Sequence, residues 1–328
     1  MLPLINSKIY KGVSINNTME HQKNLENLNY KEYFEETKKR NQQAINNIKD
    51  QIQLEDSQNT ALGIVGSDSR LENSLLSPIE CVVIYNQLQN KPEIKINEEI
   101  KKIIHPNIEE ILLQKNNPFY MTLDEFTEIF SPARLTDYEL IKGNPEIYKQ
   151  RLEHAKAILF SPEGKKILKN SRAQTNAHAK ITETGNQKYR GQEIQHYDKE
   201  HGIATYDPQK GLWGFKQGPP RMLQFATTRD TLRLMRDGTI PTEELAKIPK
   251  NIPEKLEFMQ QNNLSNLTNE EKNELADNYM FFSYLYHQSQ EAFAKGNKQI
   301  TFEPKEITER LNSIKKIYDA HTYFIKTQ

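Results

Sequence analysis

The chain has 328 residues and carries 44 lysines and arginines against 44 aspartates and glutamates, so its formal net charge is zero. The length allows two domains, and the charge balance provides no net field for nucleic acid or an acidic membrane surface. A single cysteine excludes a disulfide framework, and no apolar stretch approaches the ~20 residues that span a bilayer, so we expect a cytoplasmic protein.

The first predicted elements are an N-terminal extension, a helical stretch and a strand. The extension covers residues 1–24, and the helical stretch covers residues 27–54. Apolar side chains recur in that stretch at helical spacing: Tyr30, Phe34, Ala44, Ile48 and Ile52. This spacing predicts one or two amphipathic packing helices. The apolar run at residues 61–65 then predicts a strand that ends in a polar loop.

The loop and the apolar run that follows it have the chemistry of a nucleoside triphosphate site. Gly66 lets the backbone approach a bulky anion, and the Ser67 hydroxyl and successive loop N–H groups can point at phosphate oxygens. Residues 79–85 predict the next strand, and Glu80 near its start can hold a divalent cation between protein and phosphates. Cys81 in this strand is expected to be a buried apolar residue.

The loop resembles the signature of the nucleotidyltransferase superfamily of DNA polymerase β. That signature is Gly-Ser, a spacer of about ten residues, and two carboxylates separated by one residue on a strand. The wording is most similar to the branch of PII-protein uridylyltransferases and CBS-domain-associated nucleotidyltransferases. The matching positions are Gly66, Ser67, Asp68, Arg70, Glu72, Asn73, Ser74, Leu75 and Ser77. The resemblance implies nucleotide contacts from Gly66, Ser67, Ser69, Arg70 and Glu72.

The sequence departs from this signature at the metal-binding carboxylates. Pro78 stands in place of the first aspartate, and Glu80 replaces the second. Proline has no side-chain oxygen and cannot ligate a metal. The resemblance therefore supports the fold more strongly than it supports unaltered catalysis.

The middle of the chain predicts a strand at 93–96, a helix at 97–104, and a helix at 123–130 that begins after Thr122. Residues 134–141 then predict a strand that carries Asp137, and residues 142–144 predict a turn before a helix that begins at Pro145. In the family that the chain resembles, the third core strand carries a carboxylate and is followed six residues later by glycine. Asp137 and Gly143 have this spacing. The resemblance implies that adjacent strands bring Asp137 beside Glu80, where both bind Mg²⁺ or Mn²⁺.

Residues 149–180 predict helices, on which His154 and His178 are interpreted as packing or surface histidines. Residues 190–224 are rich in Gly, Pro, Tyr and charge, and predict an irregular segment that covers a site. Lys216 and Arg221 within it resemble the lysine and arginine of a uridylyltransferase-type element. They can neutralise the triphosphate or the leaving pyrophosphate.

The tail from residue 227 onward predicts helices, including an aromatic-rich helix at 278–293 whose aromatic stripe is interpreted as core. We expect an α+β fold: a nucleotidyltransferase-like mixed sheet with flanking helices at 25–160, a covering segment at 161–226, and a helical bundle at 227–328. The predicted function is Mg²⁺-dependent transfer of a nucleoside monophosphate from a nucleoside triphosphate to an acceptor, for which the resemblance implies a protein hydroxyl. Two alternatives remain: a nucleotide-binding pseudoenzyme, and a helical protein-interaction module on an inactive scaffold.

Overall fold

The structure is a computed structural model, and it describes residues 29–55, 57–74, 77–86, 93–104, 109–113 and 136–326. The predicted helix at 123–130 and the extension at 1–24 lie outside these ranges. The elements of the first half are α1 (Tyr30–Gln51), β1 (Gln53–Leu54), β2 (Thr60–Ile64), α2 (Gly66–Ser69), β3 (Cys81–Asn86), β4 (Ile94–Lys95), α3 (Glu98–Lys101), β5 (Glu109–Leu113), β6 (Glu139–Gly143) and α4 (Pro145–Phe160).

Helix α1 confirms the amphipathic helix that the sequence predicts. It begins with a capping box, in which the Asn29 side chain accepts hydrogen bonds from the backbone N–H groups of Lys31 and Glu32. The Glu32 carboxylate accepts from the Asn29 N–H in return, so two backbone donors of the first turn are satisfied. The helix ends where Ile52 adopts an extended conformation.

The central sheet is mixed, as predicted, with strand order β5-β3-β2-β6. Strand β2 pairs antiparallel with both β3 and β6, whereas β3 pairs parallel with β5. Alternate residues of β2 face opposite sides: Leu62 and Ile64 pack toward α1, and Ala61 packs toward α4. Gly63 also faces the α4 side, where the Tyr138 ring lies so close that a Cβ atom would be 2.2 Å from it.

The strand after the long central gap begins later than predicted. The sequence indicated a strand at 134–141, but β6 runs from Glu139 to Gly143, and Asp137 lies two residues before it in a turn. The predicted turn at 142–144 therefore falls partly on the strand, where Gly143 adopts φ +99° and passes close to the Thr60 carbonyl. The predicted start of α4 at Pro145 is confirmed, with Asn144 as its N-cap.

The segment at 190–224 is not irregular, which corrects the prediction. It forms short strands, one of which (Ile203–Asp207) pairs with a strand from far along the chain (Gln299–Thr301). Such strands are only two to five residues long, and their partners are distant in sequence, so local periodicity does not reveal them. The elements of the second half are α5 (Pro162–Thr184), β7 (Asn186–Tyr189), β8 (Gln192–Gln195), β9 (Tyr197–Asp198), β10 (Ile203–Asp207), β11 (Leu212–Trp213), a 3₁₀ turn (Gly214–Gln217), α6 (Pro219–Asp237), α7 (Thr242–Leu245), α8 (Ile252–Gln261), α9 (Asn269–Ala294), β12 (Gln299–Thr301) and α10 (Pro304–Ala320).

Helices dominate the second half, as predicted from residue 227 onward. The long helix α9 is buried along much of its length and packs against α1, α6, α8 and α10. Its Phe282 side chain has no exposed surface and lies in the main apolar cluster with Phe215 and Leu223. Among the described helices, none contains an 18-residue window apolar enough to cross a bilayer.

Candidate functional site

A small polar cavity lies where the loop after β2 meets the N-terminal end of α6 and one face of α9. Its volume is about 30 Å³, which is room for one or two water molecules or one compact polar group. Five of the residues that the sequence assigned to nucleotide binding line it: Ser67, Arg70, Glu72, Lys216 and Arg221. Two segments more than 130 residues apart in sequence therefore converge on one cavity.

The loop that forms the first wall is held by its own side chains. Residues 66–69 form the one-turn helix α2 rather than an open loop, and Gly66 adopts φ +70° at its start. The Asn73 amide donates to the Asp68 carboxylate, and the Ser67 hydroxyl donates to the Asn73 side-chain oxygen over 3.2 Å. Ser69 donates to the Gly66 carbonyl. Gly66 and Ser69 therefore shape the loop from behind the cavity.

Arg70 is the centre of a buried ion network that joins the loop to the helices. Its guanidinium lies 2.8 Å from the Glu72 carboxylate and 2.7 Å from the Asp137 carboxylate. The other Asp137 oxygen lies 3.3 Å from the Lys255 ammonium on α8. The Tyr279 hydroxyl on α9 donates to Glu72. Two cations and two carboxylates balance within this network, which is almost completely buried.

This network corrects the predicted position of Asp137 beside Glu80. The strands that follow these residues are not adjacent, because β2 lies between β3 and β6, which separates β3 from β6 by about 10 Å. Both Asp137 oxygens instead face cationic side chains, whereas Glu80 is exposed. The pair Glu80 and Asp137 does not fit a shared Mg²⁺ or Mn²⁺. In the part of the chain that the structure describes, no group of three or more His, Cys, Asp or Glu residues could hold a metal ion.

Asp68 lies beside Glu80, and the sequence analysis did not assign it to the site. Its Oδ2 accepts a hydrogen bond of 3.0 Å from the Glu80 backbone N–H. Burial, together with the nearby charge of Glu80, raises the pKa of Asp68 to about 7. The signal was available in the sequence, since Asp68 is one of the matching positions of the motif.

Lys216 and Arg221 give the cavity its positive charge. The Lys216 ammonium donates to the Tyr286 hydroxyl over 3.2 Å and lies 5.6 Å from the centre of the Trp213 ring. Burial, together with the charges of Arg221 and Arg70, lowers the pKa of Lys216 to about 7. Burial also lowers the pKa of Arg221. Because these cations repel one another in a poorly solvated space, an anion bound between them would be stabilised.

Residues on α9 form the wall that the sequence prediction missed. Tyr279, Ser283, Tyr286 and His287 line the cavity, and their spacing places them on one face of the helix. The aromatic stripe was interpreted as core, which is correct for Phe281 and Phe282. The polar atoms of Ser283, Tyr286 and His287 on the neighbouring face could have indicated that this face lines a site.

His178 has a packing role, as predicted. His178 is half-buried, stacks on Phe225 at 4.9 Å and contacts the Gln217 carbonyl through Nδ1. Cys81 is buried and reduced, as expected.

No family model matches the chain, and no curated protein shows significant similarity to it. The chemistry of the cavity therefore carries the functional argument.

Proposed function

We propose that the protein binds the phosphate groups of a nucleoside triphosphate in this cavity, on a nucleotidyltransferase-like scaffold. The observation that carries the proposal is the convergence of Ser67, Lys216 and Arg221 on one cavity. The charges of Arg70 and Lys255 are balanced by Glu72 and Asp137. Lys216 and Arg221 lie outside this balanced network and present cationic groups to the cavity. The arginine geometry suits phosphate oxygens.

The same geometry favours binding without a metal ion. Asp137, the predicted metal ligand, faces Arg70 and Lys255, so two protein cations hold the carboxylate that the resemblance assigned to a metal. Pro78 supplies no ligand in place of the first aspartate. We therefore favour a nucleotide-binding protein without transferase activity, which is the pseudoenzyme alternative.

Transfer of a nucleoside monophosphate to a protein hydroxyl is the second candidate. The observation that favours it is the proximity of Asp68 to Glu80, because the Glu80 charge raises the pKa of Asp68 and two neighbouring carboxylates attract a cation. On this hypothesis these two residues hold one Mg²⁺ or Mn²⁺. Substitution of Pro78 by Asp would add a third carboxylate and increase Mg²⁺-dependent labelling of acceptor proteins by a radiolabelled triphosphate.

Fluorescence of Trp213, the only tryptophan in the chain, provides a direct test. We expect ATP, GTP, UTP or CTP to change this fluorescence equally in EDTA and in Mg²⁺, because Lys216 lies close to the ring. Lys216→Gln should weaken binding about tenfold or more, since a hydrogen bond to a charged group is lost. Lys210→Gln is the matched control, because Lys210 is 73% exposed and lies in the same segment.

The outcomes separate the three readings. Binding that requires Mg²⁺ would favour the transferase. The absence of binding to all four triphosphates, with or without metal, would leave only the scaffold for protein interaction. Equal loss of affinity in Lys216→Gln and Lys210→Gln would show that the cavity is not where the nucleotide binds.

A further inference from the structure

His287 contributes a buried imidazole to the lining of the cationic cavity. It lies on α9, is 3% exposed, and lines the cavity between the rings of Tyr33 and Tyr286. One ring nitrogen donates to the backbone carbonyl of Glu72. The other, Nδ1, has no hydrogen-bond partner among the described residues.

The unpartnered nitrogen is a hydrogen-bond acceptor. Burial and the charges of Arg40 and Lys216 lower the pKa of His287 to about 3, so the imidazole is neutral at physiological pH. Because the proton of a neutral imidazole resides on the nitrogen that donates to Glu72, Nδ1 keeps its lone pair. A buried acceptor without a donor is unfavourable, which indicates that a ligand or a water molecule supplies the donor.

The two cationic side chains of the cavity impose the opposite requirement. The protonated Lys216 ammonium and the Arg221 guanidinium are donors only, and these match the oxygens of an anion. A ligand that satisfies these two groups and Nδ1 of His287 carries both anionic oxygens and an O–H group on one compact centre. A protonated phosphoryl group has both, whereas sulfate is fully deprotonated at neutral pH and has only acceptors. The volume of about 30 Å³ suits one such centre rather than a whole nucleotide.

We propose that Nδ1 of His287 accepts a hydrogen bond from the P–OH of a protonated terminal phosphoryl group, so that the cavity selects hydrogen phosphate over oxyanions without a proton. This inference rests on the proposed function and specifies its ligand. The nucleoside of a bound nucleotide would then lie outside the cavity, at its open side. Lys216 and Arg221 provide the attraction for the anion, and His287 provides the discrimination.

Titration with inorganic phosphate and with sulfate, followed by Trp213 fluorescence, tests the selection. At about pH 6, below the pKa of Lys216, sulfate carries the larger negative charge, so simple charge attraction favours sulfate. We expect the wild type to bind phosphate about tenfold more tightly in spite of this difference. His287→Phe should remove the preference and leave sulfate affinity unchanged. His287→Asn should retain it, because the amide oxygen of Asn can accept in place of Nδ1.

The sulfate affinity serves as the internal measure of an intact cavity in each variant. Equal affinity of the wild type for the two anions would overturn the selection by His287, as would a preference that survives in His287→Phe. The proposed function would stand in both cases, provided that triphosphates bind. Failure of phosphate, sulfate and every triphosphate to bind would overturn the proposed function together with the inference.

Discussion

At the scale of single residues, Asp137 can be tested for its role, which is that of a metal ligand or of an anion that stabilises the fold. Its carboxylate has no exposed surface and faces Arg70 and Lys255 at 2.7 and 3.3 Å. Loss of this charge in Asp137→Asn would leave two buried cations against Glu72 alone. We expect the free energy of unfolding to fall by about 3 kcal/mol or more, measured by urea denaturation.

Glu80→Gln is the matched control for this prediction. Glu80 is exposed, so its loss should change the free energy of unfolding by about 0.5 kcal/mol or less. Similar small effects of the two substitutions would contradict the structural role of Asp137. They would return Asp137 to the list of candidate metal ligands.

Lys216 makes anion binding depend on pH. The pKa of its ammonium is lowered to about 7 in the free protein, and a bound anion stabilises the protonated form. Affinity is therefore greatest below about pH 7 and falls as pH rises through this value, by up to about tenfold per pH unit. Sulfate is the suitable ligand, since its own charge stays constant from about pH 5 to about pH 9.

The variant Lys216→Arg distinguishes deprotonation of the Lys216 ammonium from a general effect of pH on the cavity. Arginine stays protonated across this range, so sulfate affinity in the variant should be nearly constant between about pH 6 and about pH 9. Trp213 fluorescence measures both proteins in the same way. A wild-type affinity that does not change with pH would show that the Lys216 ammonium does not contact the anion.

The sequence predicted most of the candidate site at this scale, because the residues of the motif are contiguous. Ser67, Arg70 and Glu72 lie within six positions, and their order resembles a known motif. The partners Lys255 and His287 could not be predicted in the same way. Lys255 meets Asp137 across 118 residues, and nothing in its local sequence indicates a buried ion pair.

At the scale of elements, the prediction was correct where the local sequence pattern determines the secondary structure. It was wrong where the secondary structure depends on pairing with a segment that is distant in sequence. The helical spacing of α1 and the apolar run of β2 are local, and both elements form as expected. Strand β10 depends on β12, which follows it by almost a hundred residues. The later start of β6 has a similar cause, because β6 aligns with β2 and contains a register shift there.

The segment after α10 is a short element whose burial was not evident from the sequence. Phe324 has no exposed surface, and its backbone N–H donates to the Asp230 carboxylate on α6 over 2.9 Å. Phe324→Ala should lower the free energy of unfolding by about 3 to 5 kcal/mol, because it leaves a cavity between packed helices. Denaturation by urea measures this change.

Phe160→Ala is a control of identical chemistry. Phe160 is 58% exposed at the end of α4, so its removal should change the free energy of unfolding by about 0.5 kcal/mol or less. If Phe324→Ala has an equally small effect, the last residues do not pack against the helices in solution.

At the scale of the whole molecule, the cavity depends on contacts between the sheet and the helices. The Tyr279 hydroxyl and the Asn251 amide both donate to Glu72, so α9 and the start of α8 hold the motif loop in place. The main apolar cluster includes Phe34 of α1 together with residues of α9. A change in either half should therefore alter the cavity, and an anion bound there should stabilise both halves.

Buried histidines should make the whole molecule sensitive to acid. Burial lowers the pKa values of His178 and His196 to about 4 and that of His287 to about 3. The unfolded chain takes up protons on these side chains near pH 6.5, whereas the folded protein does not. Their contribution to stability is thus complete above about pH 6.5 and is lost as pH falls toward about 4. Asp68 acts in the opposite direction, because its pKa is raised.

The half-buried His154 acts in the same direction, because its pKa is also lowered to about 4, whereas burial raises the pKa values of Asp68, Glu72 and Asp230, which oppose the effect. The buried His287 alone should contribute about 1.4 kcal/mol of unfolding free energy per pH unit between about pH 6 and about pH 5. Urea midpoints at several pH values measure the slope, and His287→Asn should make it less steep by about this amount. His201→Asn is the control of opposite sign, because the pKa of exposed His201 is raised by Asp198, so this substitution should increase the sensitivity slightly. Stability that stays constant between about pH 6.5 and about pH 5 would show that these imidazoles are accessible to protons in the folded protein.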